Sequence, residues 1–450
     1  MIEVRGTSDA LDYAHWAVQT ALRAGATQAE ATVSINDRFS TEARDRAVTK
    51  LEQSTGRTMH VRVFVDGRKA TLASSEFERT SAREAIAAAV SQASHVAADP
   101  YAALPETRTG IVPDGEVLEL FSGDVATREA QEKIDEALDL EKRIRALDKR
   151  ISNSNGSHVS DTVSTTALVN SAGFAGAFRS TRVQRLTSPV APDGAAKRMG
   201  AYGTAARRLV DLEPVEDVAE KAVERTVGLF GARKPPTMRV PVLFERDVAA
   251  AVLSDVFAAA NAANVSVGNS WLADRVGSRI GSELVTIVDD GTMPGRLGSS
   301  PFDGEGVPTQ RTIVFEEGVL RTFLFDTYYA RKLGSRSTGN ASGGAVGPNN
   351  FYLQPGSRTL PELIAATKRG VLVTDTIGFA TEHASGTYSR GARGYYVENG
   401  EIAYPIEEFT IAGTFAEMLA GIDAVASDLR FDAGVVSPSF RVAEMTVSGD

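Results

Sequence analysis

Apolar positions first recur at helical spacing over residues 8 to 24, where Leu11, Ala14, Val18, Ala21 and Leu22 share one face. Ser8 or Asp9 can cap this helix and Gly25 can end it. A period of two follows. Ala31, Val33 and Ile35 alternate with polar residues, as do Val61, Val63 and Val65, and the second run enters Asp66-Gly67, a tight-hairpin pair. Ser81-Ala82-Arg83-Glu84 has the form of a capping box opening a helix to about His95, which reads as a helix-surface residue. Residues 99 to 113 are loop-like. From about Thr127 to Lys149 a helix carries Ile134, Leu138, Ile144 and Leu147 as its stripe, and its many charges read as a solvated face. Asn155-Gly156 reads as a turn into alternating stretches that run to about residue 211. Pro214 then precedes an amphipathic helix with Val215, Val218, Ala222 and Val223 on one side.

Gly231-Ala232-Arg233-Lys234-Pro235-Pro236 stops that helix and stiffens a short linker. The expected fold is therefore α+β in two parts. An N-terminal sheet-and-helix region covers residues 1–234, with a sub-boundary near 100–125, and a C-terminal β-rich region covers 235–450. In the second part a strand is expected over Arg239–Phe244 and an alanine-rich helix over Arg246–Ala263, slim enough to pack on a sheet. A helix over Trp271–Ile280, a strand over Leu284–Val288, a long Gly/Pro-rich loop to Gln310 and a hairpin at Glu317-Gly318 follow. Residues 334–350 are glycine-rich without the Gly-Lys-Ser/Thr of a phosphate loop, and read as a flexible or ligand-lining loop. Phe440, Val442, Met445 and Val447 suggest a final strand.

The chain of 450 residues carries a net charge of −10, which argues against a nucleic-acid-binding surface. No apolar run reaches the roughly 18 residues that span a bilayer, and Met1 to Gly6 lack the features of a signal peptide, so a cytoplasmic protein is expected. With no cysteine there is no disulfide, thiol nucleophile or thiolate ligand. The five histidines, His15, His60, His95, His158 and His383, include no pair at helical spacing, so no local zinc motif exists.

The C-terminal third concentrates the candidate chemistry. Asn399-Gly400 between apolar-aromatic runs is a strong type I′ hairpin signal, and the approach to it sets Tyr388, Ser389 and Arg390 among Gly386, Gly391 and Gly394. Arg390 offers a planar fork for a peptide carboxylate, or else a salt bridge to Glu398, Glu407 or Glu408. Glu382 and His383 with Ser385 or Ser389 are the nearest approach to a hydrolytic triad, though no nucleophile elbow accompanies them. An exposed sheet edge could also accept an extended peptide by main-chain pairing.

Several of these motifs have a familiar order. Thr387-Tyr388-Ser389-Arg390-Gly391-Ala392, Gly394, Val397-Glu398-Asn399-Gly400-Glu401-Ile402 and Tyr404-Pro405-Ile406-Glu407-Glu408 resemble the C-terminal signature of the PmbA/TldE branch of the TldD/PmbA family. Tyr329 to Gly334 with Ser337-Thr338-Gly339-Asn340, and Val61 to Lys69 with Ala98 to Tyr101, are similar to the same branch. The resemblance implies the non-catalytic partner of a zinc peptidase, TldD, whose helix carries H-E-x-x-x-H and whose further ligands include a cysteine. The metal-helix positions map approximately to Ser254, Asp255 and Ala259, which cannot reproduce that motif. The resemblance therefore implies no cofactor in this chain, zinc in a TldD-like partner of a heterodimer, and unstructured peptide as substrate. Glu382, His383, Tyr388, Ser389, Arg390, Gly391, Gly394 and Asn340 would line the shared cavity, and Arg390→Ala would weaken processing without disturbing the fold. The family also carries a link to modulation of DNA gyrase. A self-pairing peptide-binding protein and an independent hydrolase using His383 are the alternatives.

Overall fold

Sustained alternation makes long strands. In the computed structural model, which describes residues 6–106, 116–378 and 381–449, the alternation around Ala31 extends through β1 (Gln28–Arg44) and its neighbour β2 (Ala47–Val65). β3 (Arg68–Ser74) folds back from Asp66-Gly67, whose φ values of 48° and 75° are those the hairpin requires. β4 (Asn153–Asn170) pairs with the other side of β1, β5 (Ala175–Asp193) with β4, and both β6 (Ala196–Met199) and β7 (Tyr202–Ala206) with β5. The result is a seven-stranded antiparallel sheet. Helices α1 (Thr7–Arg23) and α2 (Arg79–Ala93) bury Tyr13, Val18 and Ile86 against Val33, Val61 and Val63. After the short α3 (Gly123–Ala126), α4 (Ala130–Leu147) and α5 (Val215–Val227) bury Leu140, Ile144, Val218 and Ala222 around Tyr202.

Several local expectations change here. The Ser81 capping box is replaced by Glu78, whose carboxylate accepts from the Thr80 and Ser81 amides one turn earlier. Asn155-Gly156 is a bulge inside β4, where the register to β5 shifts between Ser154 and Ser157. The charges of α4 are not all solvated. Lys133 is buried on Asp161 at 2.5 Å, and Glu141 is buried accepting from Ser154, Ser157 and Arg145, while Leu147 of the expected stripe is exposed. Of the expected loop over 99–113, residues 107–113 lie outside the described residues.

The C-terminal part is built around a closed barrel. β8 (Met238–Phe244) is followed by α6 (Arg246–Ala260) and α7 (Ala262–Ser266). β9 (Ile287–Asp290), β10 (Arg311–Glu316) and β11 (Val319–Leu320) precede α8 (Thr327–Lys332), the small hairpin β12 (Ala341–Ser342) and β13 (Ala345–Val346), and β14 (Phe351–Leu353). Then come α9 (Leu360–Ala365), β15 (Arg369–Ile377), β16 (Thr381–Glu382), β17 (Thr387–Glu398), β18 (Glu401–Thr414), α10 (Phe415–Gly421), β19 (Ile422–Val425), β20 (Val435–Val436) and β21 (Phe440–Ser448). β15, β8, β21, β18 and β17 pair in sequence, and β17 pairs back onto β15, closing the circle. A second sheet, β11-β10-β9-β14-β20, stands beside it. The expected helix at Trp271–Ile280 is a series of turns, because Asp274 and Gly277 adopt φ of 60° and 87°, which no right-handed helix admits. The strand expected from Leu284 begins only at Ile287.

A buried charge cluster joins the two parts. Arg62 of β2 bonds Glu30 of β1 through Nε (3.0 Å) and Nη2 (2.7 Å), and reaches Glu305 with Nη1 at 3.0 Å. Two carboxylates share one guanidinium, and burial pushes Glu30 up to about 7. Arg62→Met should therefore cost about 3–5 kcal/mol of stability, measured by denaturant unfolding, since it strands both acids. The pH sign follows from the same shift. Native Glu30 binds its proton more tightly than the unfolded chain, so its contribution is full below the ordinary 4.5 and is lost as pH rises through about 7. Glu30→Gln should flatten that decline in a Tm-versus-pH series.

Candidate functional site

The signature residues lie on a strand rather than in a loop, because β17 begins at Thr387 and pairs with β18 throughout. Two glycines have defined steric jobs. Gly394 lets β17 close on β15, since a Cβ there would stand 1.9 Å from the Leu372 carbonyl oxygen. Gly386, at φ 73°, ends a turn in which its amide bonds the Glu382 carbonyl, and it lies flat against the Trp271 indole. Gly391 sits in ordinary contact with Ile377.

Tyr388 is 1% exposed and packs edge-on against Phe415, which stacks on Trp271. Burial raises the Tyr388 hydroxyl well above the usual phenol range. Two residues further on, Arg390 emerges between the segments of β17 paired with β16 and with β15. Its Nη2 bonds Asp255 Oδ2 on α6 at 2.9 Å, its Nη1 reaches the Gly378 carbonyl at 3.4 Å, and its guanidinium lies 5.7 Å from the Tyr388 ring. The side chains of the pair are only 14% and 13% exposed. Asp255 thus replaces the three acids the sequence suggested. Glu398 is eight residues along the strand, about 26 Å away, and Glu407 is held by Arg198.

His383 is half-buried beside this pair of elements. Its carbonyl accepts from the Trp271 amide at 3.0 Å, and its Nδ1 is buried without a hydrogen-bond partner among the described residues, as are Trp271 Nε1 and Tyr388 Oη. The Glu382 carboxylate bonds Ser385 at 3.0 Å instead of orienting His383, so no acid–base–nucleophile relay is assembled. Ser389 is half-buried on the opposite face of the strand from Tyr388 and Arg390. Asn340 takes no part in this site. It is buried, donates to Asp289 (2.7 Å) and the Gly347 carbonyl (2.9 Å), and with Asn349 ties residues 334–350 to Asp289 as an ordered structural knot. Burial pushes the Asp289 carboxyl up to about 6.

The metal-helix positions diverge in space. Ser254 is exposed and bonds back to the Ala250 carbonyl, Asp255 faces Arg390, and Ala259 is fully buried. Among the described residues, no three His, Cys, Asp or Glu side chains are placed to hold a metal ion. Asp247, Ala251 and Asp255 do share a face of α6, at i, i+4 and i+8. Beside the first two lies a cavity of about 500 Å³, with Thr374 of β15 and Arg393 and Tyr395 of β17 on the barrel side and Ala201 opposite. Composition could not have shown this cleft, because its walls come from both halves of the chain.

Breaking the Asp255–Arg390 ion pair has a stability consequence that the sequence alone did not suggest. Arg390→Ala should lower the unfolding free energy by about 1.5–3 kcal/mol, and adding Asp255→Asn should recover most of the loss. A double-mutant cycle by chemical denaturation checks it. Additive losses would mean the two side chains are not coupled.

Three models of the PmbA/TldA metallopeptidase match in order: domain 1 over residues 29–97, the central domain over 123–230 and the C-terminal domain over 237–449. A metalloprotease PmbA homologue from Haemophilus influenzae is 31% identical over 97% of this chain and 95% of its own length. Metalloprotease PmbA from Escherichia coli O157:H7 is 30% identical over 96% and 95%. Among solved structures, a Bacteroides thetaiotaomicron protein provisionally described as a modulator of DNA gyrase superposes with a TM-score of 0.91 at 25% identity, covering 98% of each chain. TldE from Thermococcus kodakarensis shares the fold, with a TM-score of 0.88 at 21% identity over 97% of this chain and all of that one.

Proposed function

The chain belongs to the PmbA/TldE branch of the TldD/PmbA metallopeptidase family, and we propose that it is the peptide-accommodating subunit that holds no metal itself. The observation that carries this reading is the Asp255–Arg390 pair. Of the three positions where the family resemblance locates the metal-helix motif, Asp255 stands at that of the glutamate, and it is already neutralised by a guanidinium. Ser254 points to solvent and Ala259 into the core. Those residues do not fit a zinc ion, so the metal and the general base belong to a TldD-like partner. This chain contributes a wall of the peptide channel, in the cytoplasm. The cleft beside α6 suits that role, since it exposes paired polar groups, among them Arg393 bonded to Asp375 at 2.8 Å, next to apolar Val248 and Ala251. None of the described helices is long and apolar enough to cross a membrane.

Hydrolysis of an unstructured peptide tests the reading. Activity is expected only when this chain is mixed with an H-E-x-x-x-H homologue, and a chelator should abolish it. Ala251→Phe, which puts a bulky ring into the cleft, should slow the mixed complex about tenfold or more if peptide runs along α6. Turnover by this chain alone would overturn the assignment and direct attention to His383.

A further inference from the structure

We propose that the peptide path does not end in the cleft beside α6 but continues over a ledge at Ala201 into a second cavity, so that this chain selects substrates by length, favouring an extended, uncharged segment of about six residues. The inference rests on the peptide-accommodating role proposed above, and adds where the peptide runs and which peptides gain from it.

The second cavity, of about 320 Å³, adjoins the first, and the two share Ala201, Arg225 and Asp247. One stretch of chain runs through both. Met199 and Gly200 line the cleft, Ala201 lines both spaces, and Tyr202 to Ala205 line the second. The ledge between them is built by close approach. A Cβ on Gly200 would stand 2.6 Å from the Thr226 amide nitrogen of α5, so glycine lets the segment lie against that helix. The Ala201 carbonyl then accepts from Arg225 Nη1 at 3.2 Å, while Arg225 Nη2 bonds Asp247 at 2.6 Å and Glu245 at 3.0 Å. Ala201 is exposed, and the Arg225 and Asp247 side chains are 27% and 43% exposed. The ledge is therefore a floor under an open path and not a wall across it.

Strand register gives the length. Val190 of β5 faces Met199 and Gln184 faces Ala205, so the shared wall spans six positions of β5, about 20 Å of extended chain. A peptide lying along it in extended form places about six residues against this chain. The lining gives the class. Its four arginines are each matched by a carboxylate: Arg185 by Glu136, Arg225 by Asp247, Arg393 by Asp375 and Arg430 by Asp432. A charged peptide side chain would have to displace one of these partners, and a neutral one would not. Large apolar side chains stand exposed at both ends of the path, Met199 at 40% in the cleft and Leu186 at 38% in the second cavity. Apolar side chains of the peptide gain free energy by covering them.

Two measurements on the full-length protein test the inference. The first follows kcat/KM of the complex with an H-E-x-x-x-H homologue on uncharged, unstructured peptides of about four to about twelve residues. The value should rise about tenfold or more once the peptide is long enough to cross Ala201, because binding energy remote from the reacting bond is expressed in its transition state. Leu186→Trp, at an exposed position, and Ala205→Phe each put bulk into the second cavity, and each should bring the long-to-short ratio back to about one. The second measurement needs no turnover. The chain alone is irradiated with an uncharged peptide of about twelve residues carrying benzophenone at one end or the other, and mass spectrometry should find label at residues 184–186 or 202–205. Turnover that ignores length, or a ratio unmoved by both substitutions, would overturn the inference and leave the proposed function standing. Label confined to other segments would overturn it too. A mixture without turnover would count against the proposed function alone, and the labelling would then decide.

Discussion

A charge removed from water must meet its counter-charge, and at the mouth of the barrel that requirement fixes the site. Arg390 projects from a strand whose position is set by barrel closure, and it arrives beside the Tyr388 ring, which packs on Phe415 and through it on Trp271. Asp255 is the carboxylate on the crossing helix that meets it. The pair locks α6 to β17 and sets the helix face that borders the cleft. It also engages with an internal cation the carboxylate that the family resemblance sets at the motif's glutamate position. Architecture and the proposed absence of chemistry in this chain thus have one cause.

The same rule operates where the halves of the chain meet. Arg62 links Glu30 to Glu305 across 243 residues of sequence between the arginine and its C-terminal partner. Around Tyr202, Arg246 and Arg430 donate to the phenol oxygen while Lys221 and Arg430 hold Glu213. Inside the C-terminal part, Asp289 gathers Asn340 and Asn349, turning a glycine-rich segment with little apolar content into ordered structure. Long-range polar clusters therefore take over where hydrophobic periodicity is weak. At Glu30 and Asp289 they leave a carboxylate whose titration differs from that of an exposed acid.

Periodicity made the regular elements legible. The first helix, the Asp66-Gly67 and Asn399-Gly400 hairpins, the strand and alanine-rich helix after residue 238 and the last strand all stand where spacing and turn chemistry put them. Readings that depended on a short local motif fared worse. Ser81 lost its cap to Glu78, Asn155-Gly156 became a bulge, and Trp271–Ile280 did not coil, because a competing cap, a strand pairing or a left-handed turn outweighs the few tenths of a kcal/mol that a local preference supplies.

The amino-acid sequence by itself determined what depends on residue type and short spacing. It set the alternation that builds the sheets, the lack of cysteine and of paired histidines, and the ordered motifs that resemble the PmbA/TldE branch. Only the tertiary structure decided which of those residues meet. Arg390 and Asp255 are 135 residues apart, and nothing in either segment names the other. Pairing in a low-dielectric place depends on distance through space, and distance along the chain says nothing about it once barrel closure has folded β17 onto β15.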